Sequence, residues 1–331
     1  MQTGQAGHII SSMPELPEVE TVVRAFGPPL VGRTIVRYVS RWAKQASPST
    51  AAVRRGVEDR RIARVWRRGK FIVFDLAETE GENRSVISPR TAGPEKPNRS
   101  TTSPCATALE QCDVPNQPRS REEIRGTVGH MLIHLRMSGR FEWADSPERP
   151  PRHVRAYFEL DDGRRLLFCD SRKFGRIVYT DDLASAVGEL GIEPLGPEFS
   201  AQRFAKMLRA RRRLLKPLLL DQSVVAGIGN IYADESLFEA GLHPLTRSDD
   251  LRDEQIRRLW RSIRAVLRKA IRKNGTTIDW IYLGGNMQQH LNVYGRTGEP
   301  CRVCKTPIEA LRVGQRGTHI CPACQPLRGR A

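Results

Sequence analysis

No stretch of this sequence approaches the roughly 18 consecutive apolar residues that a membrane span requires, so no membrane partner is expected. The first dozen residues, MQTGQAGHIISS, contain no lysine or arginine and no long apolar run, which fits neither a secretory signal nor a transit peptide. A cytoplasmic protein is expected. Acidic residues are in short supply, with 37 against 54 lysines and arginines, giving a formal net charge of +17. Such a surplus favours nucleic acid or an anionic surface over a small neutral substrate. Cysteine is scarce too: there are seven, and four of them lie in the last 31 residues.

The 331 residues suffice for two domains with their own cores. Residues 16 to 26 read as a short helix, with Pro17 in its first turn, Val19, Val22, Val23 and Phe26 at helical spacing, and Gly27, Pro28 and Pro29 ending it. From Thr34 to Thr180 the rhythm changes to short alternating or β-branched runs: TIVRYV, RIARVW, FIVFDL, MLIHLRM, VRAYFEL, RRLLF and GRIVYT. Seven such runs between turns predict an antiparallel β-sandwich. Residues 77 to 127 break the rhythm with Ser, Pro, Thr and charge and read as a disordered insertion, in which Cys105 and Cys112 are incidental thiols. After GIEPLGPEF the pattern turns helical through SAQRFAKMLRA, RLLKPLLLDQ and GIGNIYADESLFEAG. A longer helix then carries Ile256, Leu259, Trp260, Ile263, Val266, Leu267 and Ile271 on one stripe, closed by Asn274 and Gly275. The expected fold is α+β: a leading helix and sandwich over 14–198, a helical domain over 199–290 and a cysteine-bearing β-ribbon over 291–331.

The ribbon reads CRVC, sixteen residues, then CPAC. Two tight turns at this spacing each offer two thiolates to a tetrahedral metal, so Cys301, Cys304, Cys321 and Cys324 are expected to hold one structural zinc ion. Disulfides are disfavoured without an export signal, and a redox pair is disfavoured because two CxxC units face each other. Between the pairs, Arg312, Gln315, Arg316 and Thr318 lie towards the ribbon tip, where a metal-fixed arginine can reach a phosphate. In GIGNIYADE, two glycines admit a tight turn and Asn230 is expected to cap the next helix, leaving free N–H groups as a seat for an anion; Lys216 adds a neighbouring charge.

PELPEVETVVR, RRGKF, HLRMSG, SRKFGR, LLLDQ, GIGNIYADE, NVYGR and the cysteine tail, in that order, resemble the formamidopyrimidine-DNA glycosylase family over nearly the whole chain. The resemblance implies a helix-two-turn-helix second domain and a monomer that acts on damaged double-stranded DNA, removing oxidised purines and then cutting the backbone. It implies that Pro14 is the nucleophile, attacking C1′ through a free secondary amine and forming an imine that permits β- and δ-elimination. Glu15 matches the general acid and base, and Glu18 a supporting acid. Lys70, Lys216, Asn230 and Arg316 match the residues that grip phosphates. Met137, Arg172 and Phe174 match those that fill the space left by a flipped base.

Two departures stand out. Thirteen residues precede Pro14, and a proline within a chain has an amide nitrogen with no basic lone pair, so the leader 1–13 is expected to be absent from the mature protein. Residues 277–293 are shorter than the family segment that folds over a flipped 8-oxoguanine, so formamidopyrimidine lesions are expected to be preferred. Two rivals stand beside this reading: an endonuclease VIII type acting on oxidised pyrimidines, and a DNA-binding protein without catalysis in which Pro14 stays blocked. Leu16 and the Arg172–Gly175 string favour the purine-directed branch over the first.

Overall fold

The computed structural model describes residues 13–79, 126–144, 152–276 and 284–327. The leader, the bulk of the insertion with Cys105 and Cys112, and residues 277–283 lie outside the described residues.

All seven predicted runs form strands. In chain order the sheet comprises β1 (Thr34–Ser40), β2 (Ala46–Ser47), β3 (Arg60–Arg68), β4 (Phe71–Glu78), β5 (Thr127–His134), β6 (Gly139–Ala144), β7 (Val154–Leu160), β8 (Arg165–Asp170) and β9 (Arg176–Thr180). The spatial order is β2-β9-β5-β4-β3-β1-β7-β8-β6, antiparallel except for β2 on β9. Phe74 of β4 meets Phe141 of β6, ring centroids 6.4 Å apart, although those strands lie in opposite halves of that order. The sheet therefore curls on itself into a sandwich around Tyr38, Phe74, Phe158 and Phe168. Strand β6 was not among the expected runs, although GRFEWA alternates Phe141 and Trp143 with Arg140 and Glu142.

The leading helix α1 runs Leu16–Leu30 and so passes through Gly27, Pro28 and Pro29, the expected stop. Both prolines fall in its last turn, so the helix forgoes only their own two N–H bonds to carbonyls four residues back, and Val31 N–H closes that turn on Gly27 at 3.0 Å. A short helix, α2 (Thr50–Val57), was also not anticipated. After α3 (Leu183–Val187), the second unit packs α4 (Ala201–Arg209), α5 (Leu215–Leu220), α6 (Asn230–Glu239) and α7 (Asp253–Arg272) around one apolar core. That core includes Leu16 of α1. The ribbon follows as β10 (Glu309–Val313) and β11 (Arg316–Ile320), joined by Gly314 and Gln315, both at positive φ, as a two-residue hairpin requires.

A buried ion-pair network fixes how sheet and helices meet. Arg67 bonds Glu20 of α1 at 3.1 Å and Glu193 of the connecting segment at 2.9 Å. Glu193 also accepts from Arg68 and from Gly69 N–H. Such a network contributes geometry more than stability, because desolvating the charges offsets much of their attraction. Here it holds the tight β3–β4 turn that presents Lys70.

Candidate active site

Glu15 occupies the middle of the site. Its carboxylate is 2% exposed and accepts N–H groups from Gly229 at 2.7 Å, Ile231 at 2.8 Å and Tyr232 at 3.3 Å. These are the free donors at the start of α6, so the anion seat expected there is taken by a side chain of the protein rather than left open. The cap is Gly229, not Asn230, which is the first helical residue. Gly229 must be glycine: a Cβ would strike the Glu15 carboxyl, and at Gly227, φ +89°, one would fall 2.8 Å from Leu16 Cβ. Leu16 N–H bonds the Gly227 carbonyl at 3.0 Å, so the GIG turn wraps the start of α1.

Burial, with a smaller push from Glu18, raises the Glu15 pKa to about 7 against the opposing pull of Lys70 and of the α6 N–H groups. Glu18 is buried beneath it, accepting Glu15 N–H at 3.0 Å, Tyr232 Oη at 2.6 Å and Thr276 N–H at 2.8 Å. Pro14 is buried beside Glu15, and Met13 is half-buried. Burial also pushes the Lys70 ammonium below its usual range; Glu15 and Glu18 oppose this, while Arg316 and Arg136 add to it. Lys70, Glu15 and Arg316 thus share one local field although they come from three parts of the chain.

Lys216 is not presented to solvent. Its ammonium is wholly buried, 2.6 Å from Asp234 and 2.8 Å from the Gly317 carbonyl. Asn230 donates to that same carbonyl at 3.0 Å. Both therefore grip the ribbon just past its tip, next to exposed Arg316. The α6 motif is accounted for residue by residue: Asp234 takes Lys216 and His319 N–H, and Glu235 takes the N–H groups of Asn292, Val293 and Tyr294 in NVYGR. Gln222 of LLLDQ stitches the preceding turns, donating to the Ile228 carbonyl and accepting from Gly227 N–H. None of these roles was assigned from sequence. The clue was present, since acids on a helix buried from Ile231 to Phe238 must have partners.

Met137, Arg172 and Phe174 lie on two neighbouring loops, β5–β6 and β8–β9. Phe174 is 46% exposed, with the Arg172 guanidinium 5.1 Å from its ring centre. Asp170, buried and unremarked in the sequence, ties the loops together. One oxygen takes the Ser138 hydroxyl and Arg172 N–H, and the other takes Gly175 N–H at 2.8 Å. His134 is held neutral, its pKa pulled down to about 3 by burial with help from Arg136 and Lys70, and its Nδ1 accepts Arg136 N–H at 3.0 Å.

In the ribbon the four cysteine sulfurs lie within 4.8 Å of one another, with Cys301 to Cys324 at 4.0 Å and Cys304 to Cys324 at 3.5 Å. Thiolates about 2.3 Å from a tetrahedral zinc stand roughly 3.8 Å apart, so the donor set fits that ion. The zinc is structural, since four sulfurs leave no position for water.

Residues 13–177 match the family model described as the formamidopyrimidine-DNA glycosylase N-terminal domain, 190–281 the formamidopyrimidine-DNA glycosylase H2TH domain, and 298–327 the zinc finger found in FPG and IleRS. The chain is 38% identical to the formamidopyrimidine-DNA glycosylase of Herpetosiphon aurantiacus, with 95% of this chain and 100% of the relative covered. It is also 38% identical to that of Chloroflexus aurantiacus, at 95% and 98%. Among solved structures, the Lactococcus lactis Fpg in complex with DNA containing an abasic site superposes with a TM-score of 0.75 at 29% identity, covering 94% of this chain and 99% of that one. MutM in complex with DNA containing carbocyclic 8-oxo-G gives 0.75 at 29%, over 95% and 100%.

Proposed function

The chain belongs to the formamidopyrimidine-DNA glycosylase family, and on that premise we propose that it excises oxidised purines from duplex DNA and then cuts the strand through an imine on Pro14. The observation that carries this reading is the Glu15 carboxyl: buried, raised to about 7 and next in sequence to the nucleophile. With Met13 removed, the neutral amine of Pro14 donates its lone pair to C1′ as the bond from C1′ to the base breaks, and the proton that the amine then sheds neutralises the departing base. Glu15 gives its proton to the ring oxygen, the sugar opens, and an iminium remains. Loss of a C2′ proton then expels the 3′ phosphate and a second elimination expels the 5′ phosphate. Water hydrolyses the imine and frees the amine.

Lys70 and Arg316 meet the phosphates beside the lesion. Lys216 and Asn230 act through the Gly317 carbonyl, aiming the Arg316 hairpin. Met137, Arg172 and Phe174 enter the space vacated by the flipped base, with Arg172 bonding its orphaned partner. The protein works as a monomer on DNA in the cytoplasm.

The Asp170 clamp gives a distinct expectation. Asp170→Asn replaces an acceptor oxygen by a donor that opposes the loop N–H groups, so excision of a lesion paired in duplex should fall about a hundredfold. Cleavage of a ready-made abasic site in single-stranded DNA, where no space needs filling, should stay within about twofold. Equal losses on both substrates would remove Asp170 from the wedge.

The proposed activity is tested with matched duplexes carrying formamidopyrimidine-guanine, 8-oxoguanine or an oxidised pyrimidine. We expect the first to be excised fastest under single-turnover conditions. Equal rates on the two purines would refute the short-loop argument, and fastest release of the pyrimidine would move the protein to the rival substrate class.

A further inference from the structure

Many of the described arginines of this protein are paired with acids, among them Arg33 with Asp161, Arg140 with Glu142 and Arg165 with Glu159. The outer face of α7 departs from that habit. Arg257, Arg258, Arg261, Arg268 and Arg272 are all exposed, and among the described residues their side chains make no hydrogen bond or ion pair. No acidic residue occurs from Gln255 to Lys273. Four of the five, at 257, 261, 268 and 272, fall on one stripe of the helix. The opposite face, with Ile256, Ile263 and Leu267, is buried in the core that α7 shares with α6 and with Leu16. The stripe therefore points away from the helices that build the site.

A row of like charges three or four residues apart works against its own helix by a few tenths of a kcal/mol per pair. An anionic counterpart removes that penalty. From Arg257 to Arg272 the helix rises about 22 Å, the length over which one strand of duplex DNA carries roughly six phosphates. Lys269 and Lys273 continue the positive field at the C-terminal end, where with Arg302 they add to the lowering of the His290 pKa that burial begins.

We propose that the outer face of α7 is a second binding surface for duplex DNA, holding the phosphates of an undamaged segment while the cleft is occupied elsewhere. Recognition is by charge and spacing, without readout of the bases, so it is sequence-independent and steeply salt-sensitive.

The test saturates the cleft of the full-length, zinc-loaded protein with a short duplex carrying an uncleavable tetrahydrofuran abasic site. A fluorescent undamaged duplex is then titrated at several salt concentrations. The preloaded protein should bind it, and the quadruple variant R257Q/R261Q/R268Q/R272Q should bind at least about tenfold more weakly. The log-log salt slope should become shallower by up to about 3.6, which is about 0.9 for each phosphate that is no longer neutralised. Arginine to lysine at the same four positions keeps the charge and should keep the slope within about 0.9 of the wild-type value. Glutamine is close to arginine in helix propensity, so excision from a short lesion duplex should be unchanged in both variants. Failure of the preloaded wild type to bind would overturn the proposal. So would an unchanged slope in the glutamine variant, or a variant that binds anionic vesicles more weakly but DNA as before. Failure to hold the abasic duplex at all would instead count against the proposed function.

Discussion

Protein beginning at Pro14 should be trapped on abasic-site DNA by borohydride, and protein retaining Met13 should not. The imine forms only from an amine with an available lone pair, and borohydride reduces it to a stable covalent adduct. An α-amino group titrates near 8, so about a tenth is neutral at pH 7, against less than about a thousandth for an ordinary lysine. A Met13–Pro14 amide offers no such lone pair, and adduct yield should drop to background. The structure supplies an internal competitor in Lys70, whose ammonium burial has already pushed downward within the same site. Peptide mapping of the adduct decides between them: attachment at Pro14 supports the proposal, and attachment at Lys70 in the Met13-retaining protein would overturn it.

Replacement of Glu15 by Gln should lower excision by about two to four orders of magnitude, the range for loss of a positioned acid and base. Its pH dependence is more diagnostic than its size. Pro14 must be deprotonated, so the rate climbs as pH rises through about 8; Glu15 must be protonated to serve the ring oxygen, so the rate falls as pH rises through about 7. The product of these fractions peaks near pH 7.5, where only about one enzyme molecule in twenty carries both groups correctly. We expect a narrow bell in kcat/KM for the wild type and loss of its alkaline limb in Glu15→Gln. Stability should show the same group with a defined sign. The folded pKa lies above the unfolded value of 4.5, so the favourable contribution of the neutral carboxyl is complete below pH 4.5 and lost as pH rises through about 7, a change of about 3 kcal/mol. The stability difference between wild type and variant should drift by about that amount between pH 4 and pH 8. A flat difference would mean that the carboxyl is not burial-shifted.

Much of the fold was legible because it depends on local pattern. The alternating runs from TIVRYV to GRIVYT became strands, and the CRVC and CPAC pairs converge in space. What escaped was set by partners far along the chain. The N–H groups of Gly229, Ile231 and Tyr232 that close on Glu15 come from more than two hundred residues further along the chain. Lys216 looked like a surface cation, yet Asp234 and a ribbon carbonyl hold it inside. Asp170 carried no signal of its own, because its meaning lies in two loops that the sequence separates by more than thirty residues. The end of α1 was misplaced for the opposite reason: Pro28 and Pro29 were given their usual weight as helix breakers, while the packing of Gly27 and Leu30 against the sheet carried the helix past them.

The embrace of Glu15 by the GIG turn has a consequence for synthesis. Pro14 and Glu15 emerge from the ribosome early, but the N–H groups that seat the carboxylate lie 214 to 217 residues later. On the proposed mechanism, a nascent or truncated chain therefore carries Pro14 without a seated Glu15, and the second unit must be made and docked before the two can act together.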